Sequence, residues 1–137
     1  MRNFMRVRRS FGVTAGALAL VLIAAPAAMA GGNWSYGESR TVLSNGALYT
    51  SIEPNNDGTG YWHLNDWYDK TGGGTISLEF GFNYHGYSYG SHWQSESAGG
   101  SNSQEFYSLG FTDCDDVVGW MAVAGQSTFY NAPVTTC

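Results

Sequence analysis

From Thr75 to Phe82 the chain alternates without a break, with Ile76, Leu78, Phe80 and Phe82 on one side and Ser77 and Glu79 on the other. A period of two is satisfied by an extended strand with one buried face. Beyond residue 30, no stretch of ten or more residues shows helical periodicity with caps, so other strands must cover that face. The sequence offers several. Glu105 to Phe111 alternates with Tyr107, Leu109 and Phe111 on one face, and Val117 to Ala124 is a β-compatible apolar run carrying Trp120. Gly125-Gln126-Ser127 then provides a turn into an edge strand over Thr128 to Tyr130. Tyr61 to Tyr68 reads as a short strand interrupted by Asn65 and Asp66. Asn45-Gly46 predicts a type I′ hairpin that sets Leu43 opposite Leu48, Thr41 opposite Thr50 and Val42 opposite Tyr49. Pro54 to Gly58 ends its second strand. Glu96 to Gln104, rich in Ser, Gly and Asn, reads as a mobile loop. The expectation is an all-β fold, a small antiparallel sandwich or barrel of six to eight strands.

The first thirty residues belong to a different class. Arg2, Arg6, Arg8 and Arg9 precede an apolar run from Phe11 to Ala25, and Ala28-Met29-Ala30 follows with small side chains. This is the pattern of a secretory signal peptide cleaved near Ala30, and its apolar part is shorter than the roughly 20 residues of a membrane-spanning helix. The expected product is a single secreted domain over residues 31–137, without a stable membrane anchor.

That domain holds 107 of the 137 residues and only two cations, Arg40 and Lys70, against all eleven carboxylates, a formal charge of −9. Such a surface repels polyanions, which excludes nucleic acid as a partner and disfavours anionic lipid. It keeps 19 aromatic residues and 17 glycines, a mixture suited to short strands joined by tight turns. Cys114 and Cys137 are the only cysteines. In an oxidising compartment they form one disulfide, contributing about 3 kcal/mol on the chain-entropy view; they lack the Cys-x-x-Cys spacing of a redox or metal pair.

Candidate chemistry is sparse. Gly86-Tyr87-Ser88-Tyr89-Gly90 matches the Gly-x-Ser-x-Gly nucleophile elbow, but a glycine-rich turn has the same letters and no helix signal follows. His63, His85 and His92 have no metal-site spacing. Asp113, Asp115 and Asp116 around Cys114, and Asn55, Asn56 and Asp57, supply hard oxygens but not the EF-hand order, and are read as solvated turn residues rather than as a calcium site. Glycoside chemistry by paired carboxylates depends on a separation that sequence does not contain. No catalytic residue, metal or cofactor is therefore assigned. The most suggestive patch is Tyr84, Tyr87, Tyr89 and Trp93, interleaved with His85 and His92. Its rings form a binding surface for a sugar face or a protein if they point outward, and core if they point inward. Trp62 and Trp67 pose the same question.

Gly31-Gly32-Asn33-Trp34-Ser35-Tyr36-Gly37, directly after the export signal, resembles the G-G-x-W-x-Y-G opening of the lactococcin 972 family of secreted bacteriocins. The resemblance covers seven residues and extends at most through Asn45; Gly46-Ala47-Leu48 stands where the family carries tyrosine and histidine. It implies a small exported β-sandwich of Gram-positive bacteria that acts on the cell wall by binding lipid II rather than by catalysis, with Trp34 and Tyr36 as binding residues or as packing for the first strand. The combined expectation is a secreted, non-enzymatic recognition protein in bacterial antagonism, acting alone at the cell envelope or as a subunit of a larger assembly. A carbohydrate-binding module using the tyrosine patch is the alternative, and a small secreted hydrolase the third.

Overall fold

In a computed structural model the chain is an antiparallel β-sandwich, described over residues 29–35, 37–111, 114 and 116–136. Eleven strand segments follow in order: β1 (Met29–Ser35), β2 (Glu38–Leu43), β3 (Gly46–Pro54), β4 (Trp62–Lys70), β5 (Ile76–Tyr84), β6 (Tyr87–Gly90), β7 (Gln94–Glu96), β8 (Ser101–Leu109), β9 (Asp116–Val123), β10 (Phe129–Tyr130) and β11 (Val134–Thr135). One sheet has the order β1-β2-β3-β4-β8. The other runs β10-β9-β5-β6, with β11 also on β9 and β7 also on β5. The segments beyond the expected six to eight are short pieces such as β6, β7 and β11, of four, three and two residues.

The core follows from the alternation. Leu78, Phe80 and Phe82 of β5 face inward, as their period requires, and are buried. Along the inward faces of β3, β4 and β9 the same order recurs: apolar, then polar or small, then apolar. β3 reads Leu48, Thr50, Ile52; β4 reads Tyr68, Asp66, Leu64; β9 reads Met121, Gly119, Val117. The apolar core is thereby divided in two. Leu48, Tyr68, Leu78, Phe80, Met121 and Val123 form one half, and Ile52, Leu64, Phe82, Phe111, Val117 and Val134 the other. Between them Asn131 Nδ2 donates to Thr50 Oγ1 at 2.7 Å, and Thr50 Oγ1 donates to Asp66 Oδ1 at 2.5 Å. Gly119 faces this pair, and a Cβ there would overlap both Thr50 and Asp66. Asp66, which in sequence interrupts a strand, is instead a fully buried inward residue of β4.

Three expectations are corrected. The first hairpin pairs Leu43 with Gly46 and Thr41 with Leu48, so Ser44-Asn45 forms the turn and each partner moves by two residues. Gly46 is drawn into the ladder because it lies against Tyr68 and Asp69 with no room for a Cβ. An even shift preserves the faces, so Leu43, Leu48, Thr41 and Thr50 still share one side. The expected loop after Glu96 is a short turn, since Ser101 to Gln104 already pair with β4. Finally, Tyr107 does not share a face with Leu109 and Phe111. Leu64 pairs with Phe106 but Trp62 with Leu109, leaving one extra residue on β8, and Ser108 at φ 56° absorbs it. This β-bulge turns Phe106, Leu109 and Phe111 to the core and Tyr107 to solvent.

Candidate functional site

A second turn places the site. His85 and Gly86 have φ of 50° and 78°, and Tyr84 pairs with Tyr87, the arrangement of a two-residue hairpin with positive φ at both turn positions. Histidine tolerates this conformation better than most side chains. The pairing makes Tyr87-Ser88-Tyr89-Gly90 the strand β6, exposed along its whole length. Ser88 therefore lies on a sheet edge, followed by more strand and the irregular residues 91–93, which is not the strand-to-helix corner of a nucleophile elbow.

Tyr89 lies opposite Phe82 and Tyr87 opposite Tyr84, so both rings sit on the sheet's inner face. In the facing sheet β8 is the last strand among the described residues. Tyr87 is 69% exposed, Tyr89 46% and Trp93 51%, so three of the four patch rings reach solvent. Tyr84 is half-buried, stacked on His85 at 4.0 Å and tilted against Phe111 at 4.6 Å. Tyr89 stacks on Phe82 at 4.9 Å.

At the bulged end of β8 a cleft of about 230 Å³ opens, lined by Phe82, Tyr84, Tyr89, Ser108, Leu109, Gly110 and Phe111. The sequence patch contributed Tyr84 and Tyr89; Phe82 comes from β5, and Leu109 and Phe111 come from the bulged end of β8 and the residues after it. The Tyr84 hydroxyl is buried without a hydrogen-bond partner, an unsatisfied polar atom beside a cleft that is mostly apolar but also lined by Ser108. The volume falls below the roughly 300 Å³ at which drug-sized pockets begin. It suits one side chain or one sugar ring.

The other candidate residues disperse. His63 lies on the outer face of the first sheet, its Nδ1 3.3 Å from Glu53 Oε1 and its Nε2 3.9 Å from Glu105 Oε1, with its ring stacked on Tyr107 at 4.6 Å. His85 is in the hairpin turn, and His92 is exposed beyond β6. Trp62 packs against the core, whereas Trp67 stacks on Tyr49 at 4.7 Å on the outer face, with the Arg40 guanidinium 5.5 Å from the Tyr49 ring. Asp57 accepts bonds from the Thr59 amide at 3.0 Å and the Thr59 hydroxyl at 2.5 Å, which hold its carboxyl below the usual range and commit it to its own loop. No group of three or more His, Cys, Asp or Glu among the described residues is arranged to hold a metal. Cys114 is exposed. Tyr36, Asp113, Asp115, Cys137 and residues 1–28 lie outside the described residues; Trp34 is placed only as a residue of β1. β1 begins at Met29, so Met29 and Ala30 continue the strand that contains Gly31.

No protein-family model, curated protein or solved structure matches the chain.

Proposed function

We propose that the protein is a secreted, non-enzymatic recognition protein with a bacteriocin-like role in bacterial antagonism, acting at the cell envelope or as a subunit of a larger secreted assembly. Its contact surface is Tyr87 and Tyr89 beside the cleft, together with Trp93 beyond the end of β6. The carrying observation is the exposure of Tyr87 and Tyr89 along the edge strand β6, followed by the exposed Trp93 in the irregular residues 91–93. Large amphipathic rings around an apolar depression are the usual anchors of recognition surfaces. The leader and the Gly31 to Gly37 motif supply the cellular setting, and a Cys114–Cys137 disulfide would tie down the C-terminus beyond β11. The test is to add the purified protein to sensitive Gram-positive cells and to measure its retention on isolated cell envelopes. Growth inhibition or retention that is lost in the Tyr87→Ala, Tyr89→Ala double variant supports the reading. No effect on growth together with no retention overturns it.

A glycan is the second reading, favoured by one observation: the cleft has the volume of a single sugar ring and the Phe82–Tyr89 stack for a wall. Retention on chitin, cellulose or purified peptidoglycan that is lost in the same double variant would select it.

A further inference from the structure

The edge formed by β6 differs from the other edges of the sandwich. β1 carries two register irregularities, β8 carries Glu105 and the Ser108 bulge, and β10 and β11 have two residues each. Irregularity, charge and shortness are the devices by which natural sheets prevent edge pairing. Tyr87-Ser88-Tyr89-Gly90 has no charge, no proline and no bulge against β5; its only defence is a length of four residues. The sheet order ends at β6, and all four residues are exposed.

The two sides of this edge differ in chemistry. On the inner side lie Tyr87, Tyr89 and the apolar cleft. On the outer side lie Ser88 and Gly90, and the Glu79 carboxylate of β5 reaches across to Gly90, occupying the space that a Cβ there would need. Among the described residues no cation offsets it locally. Lys70 is buried and donates to the Gly72 carbonyl, and Arg40 is on the other sheet beside Tyr49, whereas Glu38, Glu53, Asp69, Glu79, Glu105 and Asp116 all reach the surface.

We propose that β6 accepts a strand from a partner protein by edge addition, and that the added segment alternates basic with apolar residues. Its apolar side chains face the Tyr89 side, with one entering the cleft, and its Lys or Arg residues face Glu79. The inference rests on the contact surface proposed above and specifies what that surface takes. Backbone pairing supplies the affinity in such additions and the alternating side chains the selectivity.

The probe is the acetylated and amidated peptide Lys-Val-Lys-Phe-Lys-Val-Lys-Phe, titrated into the purified protein and followed by amide hydrogen exchange and NMR shifts. Binding should slow exchange at residues 87–90 and leave β1 and β10 unchanged. Ser88→Lys places a positive charge on the outer side of the edge and should weaken binding by about tenfold or more, equivalent to about 1.4 kcal/mol. Equal binding of the Glu-for-Lys peptide, or of a peptide with the four lysines in one block, overturns the proposal, as does protection confined to another edge. Thermal melting of Ser88→Lys confirms that the variant is folded; Tyr89→Ala, which removes the cleft wall, is the second variant and should also weaken binding. If the protein inhibits growth or binds envelopes but ignores the peptide, only this inference fails. If it binds the peptide but does neither, the antagonism reading fails and this inference stands.

Discussion

Thr50 Oγ1 and Asp66 Oδ1 lie 2.5 Å apart across the β3–β4 ladder, sealed between the sheets at the level that separates the two halves of the core. Complete burial holds the Asp66 carboxyl well above the ordinary aspartate value of 3.8, and the bond from Thr50 opposes this only in part. The second oxygen, Oδ2, has no partner, as suits a carboxyl that keeps its proton.

The folded state therefore retains a proton that the unfolded chain releases above about pH 4. Stability from this group is present at low pH and falls as pH rises toward the folded-state value, at up to about 1.4 kcal/mol per pH unit. Burial also raises the Glu96 carboxyl, which adds to the trend. Asp66→Asn keeps an oxygen for Thr50 and removes the titration. In urea unfolding at pH 4, 5.5 and 7 the variant should match the wild type at pH 4 and exceed it at pH 7. A wild-type gap that is constant with pH would show that Asp66 ionises normally.

Gly119→Ala forces a methyl group into Thr50 and Asp66. Overpacking and the broken buried bond together should remove about 3 kcal/mol or more. Gly125→Ala is the matched control: its φ is +77° but nothing lies within 4 Å of the new carbon, so it should lose only about 1–2 kcal/mol through backbone strain. The two midpoints in guanidinium unfolding check the ranking.

Ser108 holds a left-handed conformation at φ 56°. Ser108→Gly relieves that strain and should leave stability unchanged or raise it by up to about 1 kcal/mol, whereas Ser108→Val, β-branched, should lose about 2 kcal/mol. If valine is tolerated as well as glycine, the bulge lies elsewhere on β8.

Tyr87→Ala should alter stability by less than about 0.5 kcal/mol, since the ring is mostly in solvent. Tyr89→Ala loses the stack on Phe82 and should cost about 1 kcal/mol, and Phe82→Ala, buried, about 3–5 kcal/mol. Thermal melts alongside the envelope-retention assay separate loss of contact from loss of fold.

Much of the sandwich was legible because its strands obey simple periods. Thr75 to Phe82 places Leu78, Phe80 and Phe82 inside, and Gly125 to Ser127 turns the chain into β10 as its letters suggest. The first turn was misplaced by one residue because Asn-Gly is the stronger local signal, while the deciding fact is the close approach of Tyr68 and Asp69 to Gly46. His85-Gly86 carried the left-handed signal instead, in a histidine that a rule centred on asparagine overlooks. Asp66 looked like an interruption because its partners, Thr50 and Asn131, are brought near only by the fold. The exposure of Tyr87 and Tyr89 was beyond sequence altogether: they occupy the inward phase of β6 and yet reach water.

The first sheet takes its last strand, β8, from beyond three strands of the second. A chain released from its N-terminus thus holds a bare four-strand ribbon after Lys70, one flank of β4 unpaired until Ser101 and the residues behind it arrive. The second layer is completed later still, when β9 to β11 follow β8. Cutting the polypeptide anywhere between residues 70 and 101 should yield two fragments that are insoluble apart and regain structure only when mixed.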